Sequence, residues 1–368
     1  MMNLAHEKYM LRAIELASQG SFYTKPNPNV GCVIVDPSGE IISEGYHQFF
    51  GGHHAEVEAI KQAGSLEKEI RGSTFYVTLE PCSHFGKTGP CADALIEAGV
   101  AKVFVALEDP NPQVGGNGIS RLRQAGISVE VGLCADKAEE LNLGFLKKHR
   151  QGRPFLRVKM AASIDGKIAM ASGESKWITN KYSRVDVQIM RASAGAIITG
   201  MGTISADNPK LTARPLEPHC TFSQPYRVVI DRNLDIPLDA NIIGLDGLCV
   251  VVTEIDNALK VQRLSNLKVK VLKIDFTDTS VLFDTLLVHL ARMGVNDVMV
   301  ESGPRLISQF IKYQLLDELV VYTAPCLMGV SAISMTNIEL ESMAERIQYK
   351  LQSVKRFGDD IKCVYRFV

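Results

Sequence analysis

The sequence predicts an α/β protein in two domains, residues 1–150 and 151–368, and three features support that expectation. At 368 residues the chain exceeds what a single core ordinarily organises. Short β-branched and aromatic runs alternate with longer segments of helical period, the pattern of sheets layered with helices. A Gly/Pro break at Gln151-Gly152-Arg153-Pro154 follows a polar helix and precedes a fresh strand, which places the boundary. With 46% hydrophobic and 22% charged residues, both halves have enough apolar surface to form cores.

In the first half, residues 7–19 set Met10, Ala13, Ile14, Leu16 and Ala17 on one helical face and stop at Gly20. Pro26-Asn27-Pro28-Asn29-Val30-Gly31 forms a rigid bend before a strand at 32–35, and Asn27 reads either as a stabiliser of that bend or as a ligand contact. Asp36-Pro37-Ser38-Gly39 turns into a second strand, giving a hairpin. Residues 54–63 read as a helix closed by Gly64, and residues 74–79 as a buried strand. Pro90 opens a further helix that ends at Gly99. The strand at 101–107 runs into Glu108-Asp109-Pro110-Asn111-Pro112, at a strand C-terminal end where open α/β sheets bind ligands. A helix at 119–125, a strand at 127–131 and one helix at 139–149 complete a three-layer sandwich.

In the second half, strands are expected at 155–161, 194–199, 227–230, 248–253, 269–274 and 297–300, with helices at 183–193 and 279–293 between them. That alternation predicts a largely parallel sheet.

The chemistry concentrates in His54-Ala55-Glu56, Pro81-Cys82 and Pro90-Cys91. This is the His-x-Glu and Pro-Cys pattern by which a nucleobase deaminase holds zinc and sets a general acid/base beside it. One imidazole and two thiolates, His54, Cys82 and Cys91, leave a fourth zinc position for water, so the site is catalytic rather than structural. His53 competes for the ligand role, but only His54 stands two residues before Glu56. Cys91 at a helix N-terminus is favoured as thiolate. Cys32, Cys134, Cys220, Cys249, Cys326 and Cys363 read instead as small buried hydrophobes. Eight residues separate the two ligand cysteines where the general motif has two, and that departure bears on the substrate.

Forty basic against forty-one acidic residues, a net charge of −1, disfavour a nucleic-acid partner. The absence of a long apolar stretch and of a signal-like N-terminus points away from the membrane and to the cytoplasm. Eight scattered cysteines make no disulfide framework. Nothing in the sequence decides for or against a homo-oligomer.

The stretches Pro26-Asn27-Pro28, His54-Ala55-Glu56 and Thr78-Leu79-Glu80-Pro81-Cys82-Ser83-His84 with Cys91 resemble the bifunctional deaminase/reductase family of riboflavin biosynthesis. The second half resembles it too, through Lys159-Met160-Ala161-Ala162-Ser163-Ile164-Asp165-Gly166-Lys167, Ser175-Lys176-Trp177 and Val300-Glu301-Ser302-Gly303-Pro304. The resemblance implies a cytidine-deaminase-like sandwich followed by a dihydrofolate-reductase-like domain. Together they would deaminate a phosphoribosylated diaminopyrimidinone with zinc and then reduce its ribose with NADPH. It implies Asn27, Asp109 and Asn111 as substrate contacts beside His84 and Lys87. In the second half it implies that Ser175, Arg191, Leu211, Arg214 and Glu301 hold the substrate. Ala161, Trp177, Thr203, Asp207 and the turn Gly303, Pro304, Arg305, Leu306, Ile307, Ser308 and Gln309 would contact NADPH, although the only tryptophan reads equally as a core residue. No Gly-x-Gly-x-x-Gly is present, so the phosphates fall to the glycine turns at Gly200-Met201-Gly202-Thr203 and Gly303. Arg232 stands where relatives often carry a small polar residue, which weakens a cofactor contact there. Lys159, and Asp207 in a loop after Thr203, are the candidates for polar chemistry at the reduced carbon, the alternative being a rim salt bridge.

Overall fold

The structure, a computed structural model, describes residues 2–84, 89–112, 115–214 and 222–367, and the chain divides into two compact units, Met1–Gly152 and Arg153–Val368. Lys87 and Cys220 lie outside the described residues.

The first unit runs α1 (Met2–Ser18), β1 (Gly31–Val35), β2 (Ile41–Tyr46), α2 (Ala55–Ser65), β3 (Thr74–Val77), α3 (Cys91–Glu97), β4 (Lys102–Val105), α4 (Asn117–Gln124), β5 (Ser128–Val131), α5 (Ala135–Leu141) and α6 (Leu143–Gln151). Its sheet has the order β2-β1-β3-β4-β5, antiparallel around β1 and parallel from β3 to β5. Alternation along the strands feeds two cores. Ile34, Phe75, Val77 and Val103 meet Ala59, Leu95 and Leu122 of α2, α3 and α4 on one face. Val33, Tyr76 and Phe104 meet Met10, Ala138 and Leu146 of α1, α5 and α6 on the other, which makes three layers. Helix α1 lies so close to β1 that a Cβ on Gly31 would fall 1.9 Å from the Ala13 carbonyl oxygen. The single helix expected at 139–149 is two helices broken at Asn142. There the side chain leaves the helical ladder to accept from Asn29 N at 2.7 Å and donate to Asn29 O at 2.8 Å, which ties down the Pro26–Val30 bend.

The second unit runs β6 (Phe155–Ser163), β7 (Lys167–Ala169), α7 (Lys181–Ser193), β8 (Ala196–Gly200), α8 (Met201–Asp207), β9 (Tyr226–Ile230), β10 (Cys249–Thr253), α9 (Ala258–Asn266), β11 (Val269–Lys273), α10 (Thr279–Arg292), β12 (Asp297–Val300), α11 (Pro304–Lys312), β13 (Glu318–Ala324), β14 (Ile333–Ser334), β15 (Tyr349–Phe357) and β16 (Asp360–Phe367). Its large sheet has the order β11-β10-β9-β8-β12-β6-β13-β16-β15. It is parallel as far as β13 and antiparallel beyond it. Helices α10 and α11 cover one face through Leu286, Leu290, Phe310 and Ile311, and α7, α8 and α9 cover the other through Met190, Ile204 and Leu264. The sequence pattern does not mark β13, β15 or β16. For β15 the reason is plain, since seven of its nine residues are exposed and a strand without a buried face has no alternation to read. Cys326 departs from the expected buried state, being exposed, and Cys134 and Cys363 are only half-buried.

Candidate functional site

His54 is the N-cap of α2 rather than part of its first turn, and Glu56 follows on that turn, 3% exposed. Cys82 lies beyond the end of β3, and Cys91 is the first residue of α3, after Pro90. These boundaries bring His54 Nδ1 to 3.5 Å from Cys82 Sγ and 3.2 Å from Cys91 Sγ. A tetrahedral zinc with bonds of about 2.0–2.3 Å separates its ligand atoms by roughly 3.5 Å, so this donor set fits zinc. Among the described residues the ligands grouped here are these three, which leaves a zinc position open. His53 stands aside, its Nε2 2.6 Å from Lys61 Nζ.

The charges are tightly coupled. The hydrogen bond from Cys91 pulls the Cys82 thiol down to about 4, with His54 helping. The same bond and burial hold the Cys91 thiol up. Burial raises the Glu56 carboxyl, which suits a group that must hold a proton and return it. Replacing Cys82 or Cys91 by alanine is expected to remove the stoichiometric zinc and lower Tm, because metal binding is coupled to folding of the site. Metal analysis and thermal unfolding of the purified variants check it.

A cavity of about 310 Å³ opens beside these ligands and is lined by Asn27, His47, Glu56, His84, Asp109 and Asn111 among others. The structure thus gathers the substrate candidates of the first unit, Lys87 excepted because it lies outside the described residues. Asn27 Nδ2 lies 3.1 Å from His47 Nε2, and His47 Nδ1 lies 2.9 Å from the His53 carbonyl. A ring nitrogen facing a carbonyl must be the N–H, so the other accepts from the Asn27 amide and turns its carbonyl oxygen away from His47. Sequence reading missed His47, 2% exposed, since a lone histidine after a strand gives no local signal.

In the second unit Arg191 of α7 grips Glu301 after β12, Nε to Oε1 at 2.6 Å and Nη2 to Oε2 at 3.0 Å, and donates from Nη1 to Thr212 O at 3.2 Å. Lys159 belongs to this group. Burial lowers its ammonium pKa, against the charge of Glu301. Asp207 does not sit in a loop, as the sequence suggested, but ends α8, and its Oδ1 lies 3.4 Å from Lys176 Nζ. The two glycine turns meet where Ser302 Oγ accepts from Gly200 N at 3.2 Å and lies 3.3 Å from Thr203 Oγ1. Gly303 caps α11 without a side-chain acceptor, and space is open at Gly202 and Gly303, so the uncapped N–H groups fit a cofactor phosphate.

Some expectations change shape. The stretch 303–309 is the N-cap and first turns of α11, the helix expected from Arg305, so Ile307 packs in the core and Ser308 Oγ accepts from Asn337 N at 2.7 Å. Leu211 buries its side chain in the core, while Arg214 is exposed and Ser175 half-buried. Trp177 is not a core residue: it is 71% exposed, with the Arg184 guanidinium 4.5 Å from its ring centre. Half-buried Ala161 pairs with Tyr322 in the sheet. Arg232 is held by Glu254 at 2.7 Å. A cavity of about 580 Å³ lies on the Met160 and Ala162 side of β6, the face opposite Lys159 and Ala161, so pocket size alone does not find these candidates.

Compared with known proteins, the family model described as RibD C-terminal domain matches residues 154–363. The model for the cytidine and deoxycytidylate deaminase zinc-binding region matches residues 4–107. The chain is 44% identical over 365 residues to riboflavin biosynthesis protein RibD of Escherichia coli (strain K12), covering 96% of this chain and 97% of that one. It is 38% identical over 361 residues to the protein of the same name from Aquifex aeolicus (strain VF5), covering 98% of each. The solved structure described as Acinetobacter baumannii RibD, form 1, superposes with a TM-score of 0.91 at 44% identity, over 100% of this chain and 99% of that one. A Thermotoga maritima diaminohydroxyphosphoribosylaminopyrimidine deaminase/reductase superposes over the full length of both chains with a TM-score of 0.88 at 32% identity.

Proposed function

Because this chain belongs to the RibD family of riboflavin biosynthesis, we propose that its first unit carries the deamination and its second the reduction of one phosphoribosylated pyrimidine, in that order. The chain is a bifunctional enzyme, a zinc-dependent deaminase and an NADPH-dependent reductase. The observation that supports the division best is the His54, Cys82 and Cys91 cluster with buried Glu56 at the wall of one cavity within the first unit.

In this reading zinc supplies ionised water near neutral pH. Glu56 moves protons to the ring nitrogen and the leaving amine. Asn27, His84, Asp109 and Asn111, with Lys87, orient the ribotide in the cavity. In the second unit NADPH supplies the hydride. Ala161, Trp177, Thr203, Asp207 and the α11 N-terminus hold the cofactor, with Ser308 and Ile307 contributing backbone only. Arg191 and Glu301 orient the substrate with Ser175, Arg214 and the backbone of Leu211. Of the two candidates for polar chemistry at the reduced carbon, Lys159 is the better placed, since its ammonium feels the charges of Glu301 and Arg191 while Asp207 is paired with Lys176. No helix among the described residues is long and apolar enough to cross a membrane, and a reducing cytoplasm would keep the ligand thiols free.

The test gives the full chain the aminated ribotide with NADPH and follows ammonia and NADPH absorbance together. A fragment starting at Gln151 should then reduce only the deaminated compound, and a fragment ending at Gly152 should release ammonia only. A folded C-terminal fragment that cannot reduce the deaminated compound would end the proposed division of labour.

A further inference from the structure

Glu80, two residues before Cys82, is 4% exposed and makes its side-chain hydrogen bonds to backbone. Oε2 accepts from the N–H groups of Asp109 at 3.1 Å and Gly116 at 2.9 Å, and Oε1 from those of Gly118 at 2.8 Å and Ile119 at 3.1 Å. Two donors on each oxygen use the full acceptor capacity of a carboxylate. The donors come from the corner after β4 and from the N-cap and first turn of α4. Asp109 Oδ1 in turn accepts from Asn111 N at 2.8 Å, so the corner is built outward from Glu80. It also lies flush on the zinc-ligand segment, since a Cβ on Gly118 would fall 1.9 Å from the Pro81 carbonyl oxygen. Asp109 and Asn111 line the same cavity as His54, Glu56 and Cys82.

We propose that Glu80 is a positioning residue for deamination, whose carboxylate gathers four backbone N–H groups and thereby sets Asp109 and Asn111 at substrate distance from the metal ligands. The proposal rests on the reading of Asp109 and Asn111 as substrate contacts. A carboxylate is required because four donors converge from two sides. Glutamine has nearly the same shape but accepts on one oxygen only, and its amide would face two backbone N–H groups, leaving them buried and unpaired.

The experiment uses the full chain and compares wild type, Glu80→Asp, Glu80→Gln, Asp109→Asn, Asn111→Ala and the double variant Glu80→Gln/Asn111→Ala. Each is assayed for zinc content, for KM and kcat of ammonia release, and for reduction of the deaminated compound. Glu80→Gln should raise KM by about tenfold with smaller loss in kcat, as expected when binding groups are displaced. Zinc and reduction should be retained, and Glu80→Asp, which keeps both acceptor oxygens, should fall between wild type and Glu80→Gln. The double variant should be little worse than Asn111→Ala alone, because residues acting as a unit are not additive. Additive effects, an unchanged KM or loss of zinc from Glu80→Gln would overturn the positioning role. Should Glu80→Gln not fold, a wild-type KM in Glu80→Asp would overturn it equally. If Asn111→Ala and Asp109→Asn themselves leave KM unchanged, the substrate reading falls, and the proposal with it.

Discussion

Replacing Glu56 by glutamine is expected to cut ammonia release by about a thousandfold while zinc stays bound, the scale of loss when a positioned acid/base is removed. Glu56 follows the N-cap ligand His54 on the first turn of α2, and it is not among the grouped ligand atoms. Burial raises its carboxyl toward the range in which it can both take and return a proton. Glutamine fills the same space but does neither. Ammonia release, zinc content and reduction of the deaminated compound are measured on one preparation, and the last should be unchanged. Loss of zinc would make Glu56 a ligand, and a residual rate within about tenfold of wild type would hand the proton transfers to another group.

Replacing Arg191 by methionine is expected to abolish reduction and to lower the unfolding free energy by about 3 kcal/mol, the scale for removing one partner of a buried ion pair. Both side chains of the pair are mostly buried, at 16% and 12% exposure. Among the described residues, the variant therefore leaves the Glu301 carboxylate in a low-dielectric site with Lys159 as the remaining nearby counter-charge. Adding Glu301→Gln removes the stranded charge and should recover most of the stability but none of the reduction. Denaturant unfolding and NADPH oxidation separate the two effects. A double variant as unstable as the sum of the singles would show that the stranded charge is not the cause, and retained reduction would remove the pair from the substrate site.

The two-domain α/β organisation and the grouping of His54, Cys82 and Cys91 were legible in the chain because their signals are local. A proline before each ligand cysteine, a histidine two residues before Glu56 and the glycines after α3, α4 and α6 mark element ends within a few residues, although Gly64, expected to close α2, lies inside it. Ligands placed at such ends converge once the strands pair. The uniform central strands were equally readable, whereas β15, exposed along most of its length, had no buried face to leave a pattern. Other features depend on contacts between distant segments. Asn142 breaks a helix because Asn29, 113 positions away, offers its backbone. His47 orients Asn27 from just beyond the end of β2. Arg191 meets Glu301 across 110 positions, and Glu80 gathers N–H groups as far along as Ile119. Each side chain would have been an ordinary polar residue elsewhere. Its role comes from burial beside one particular partner, and only the folded chain brings that partner within reach.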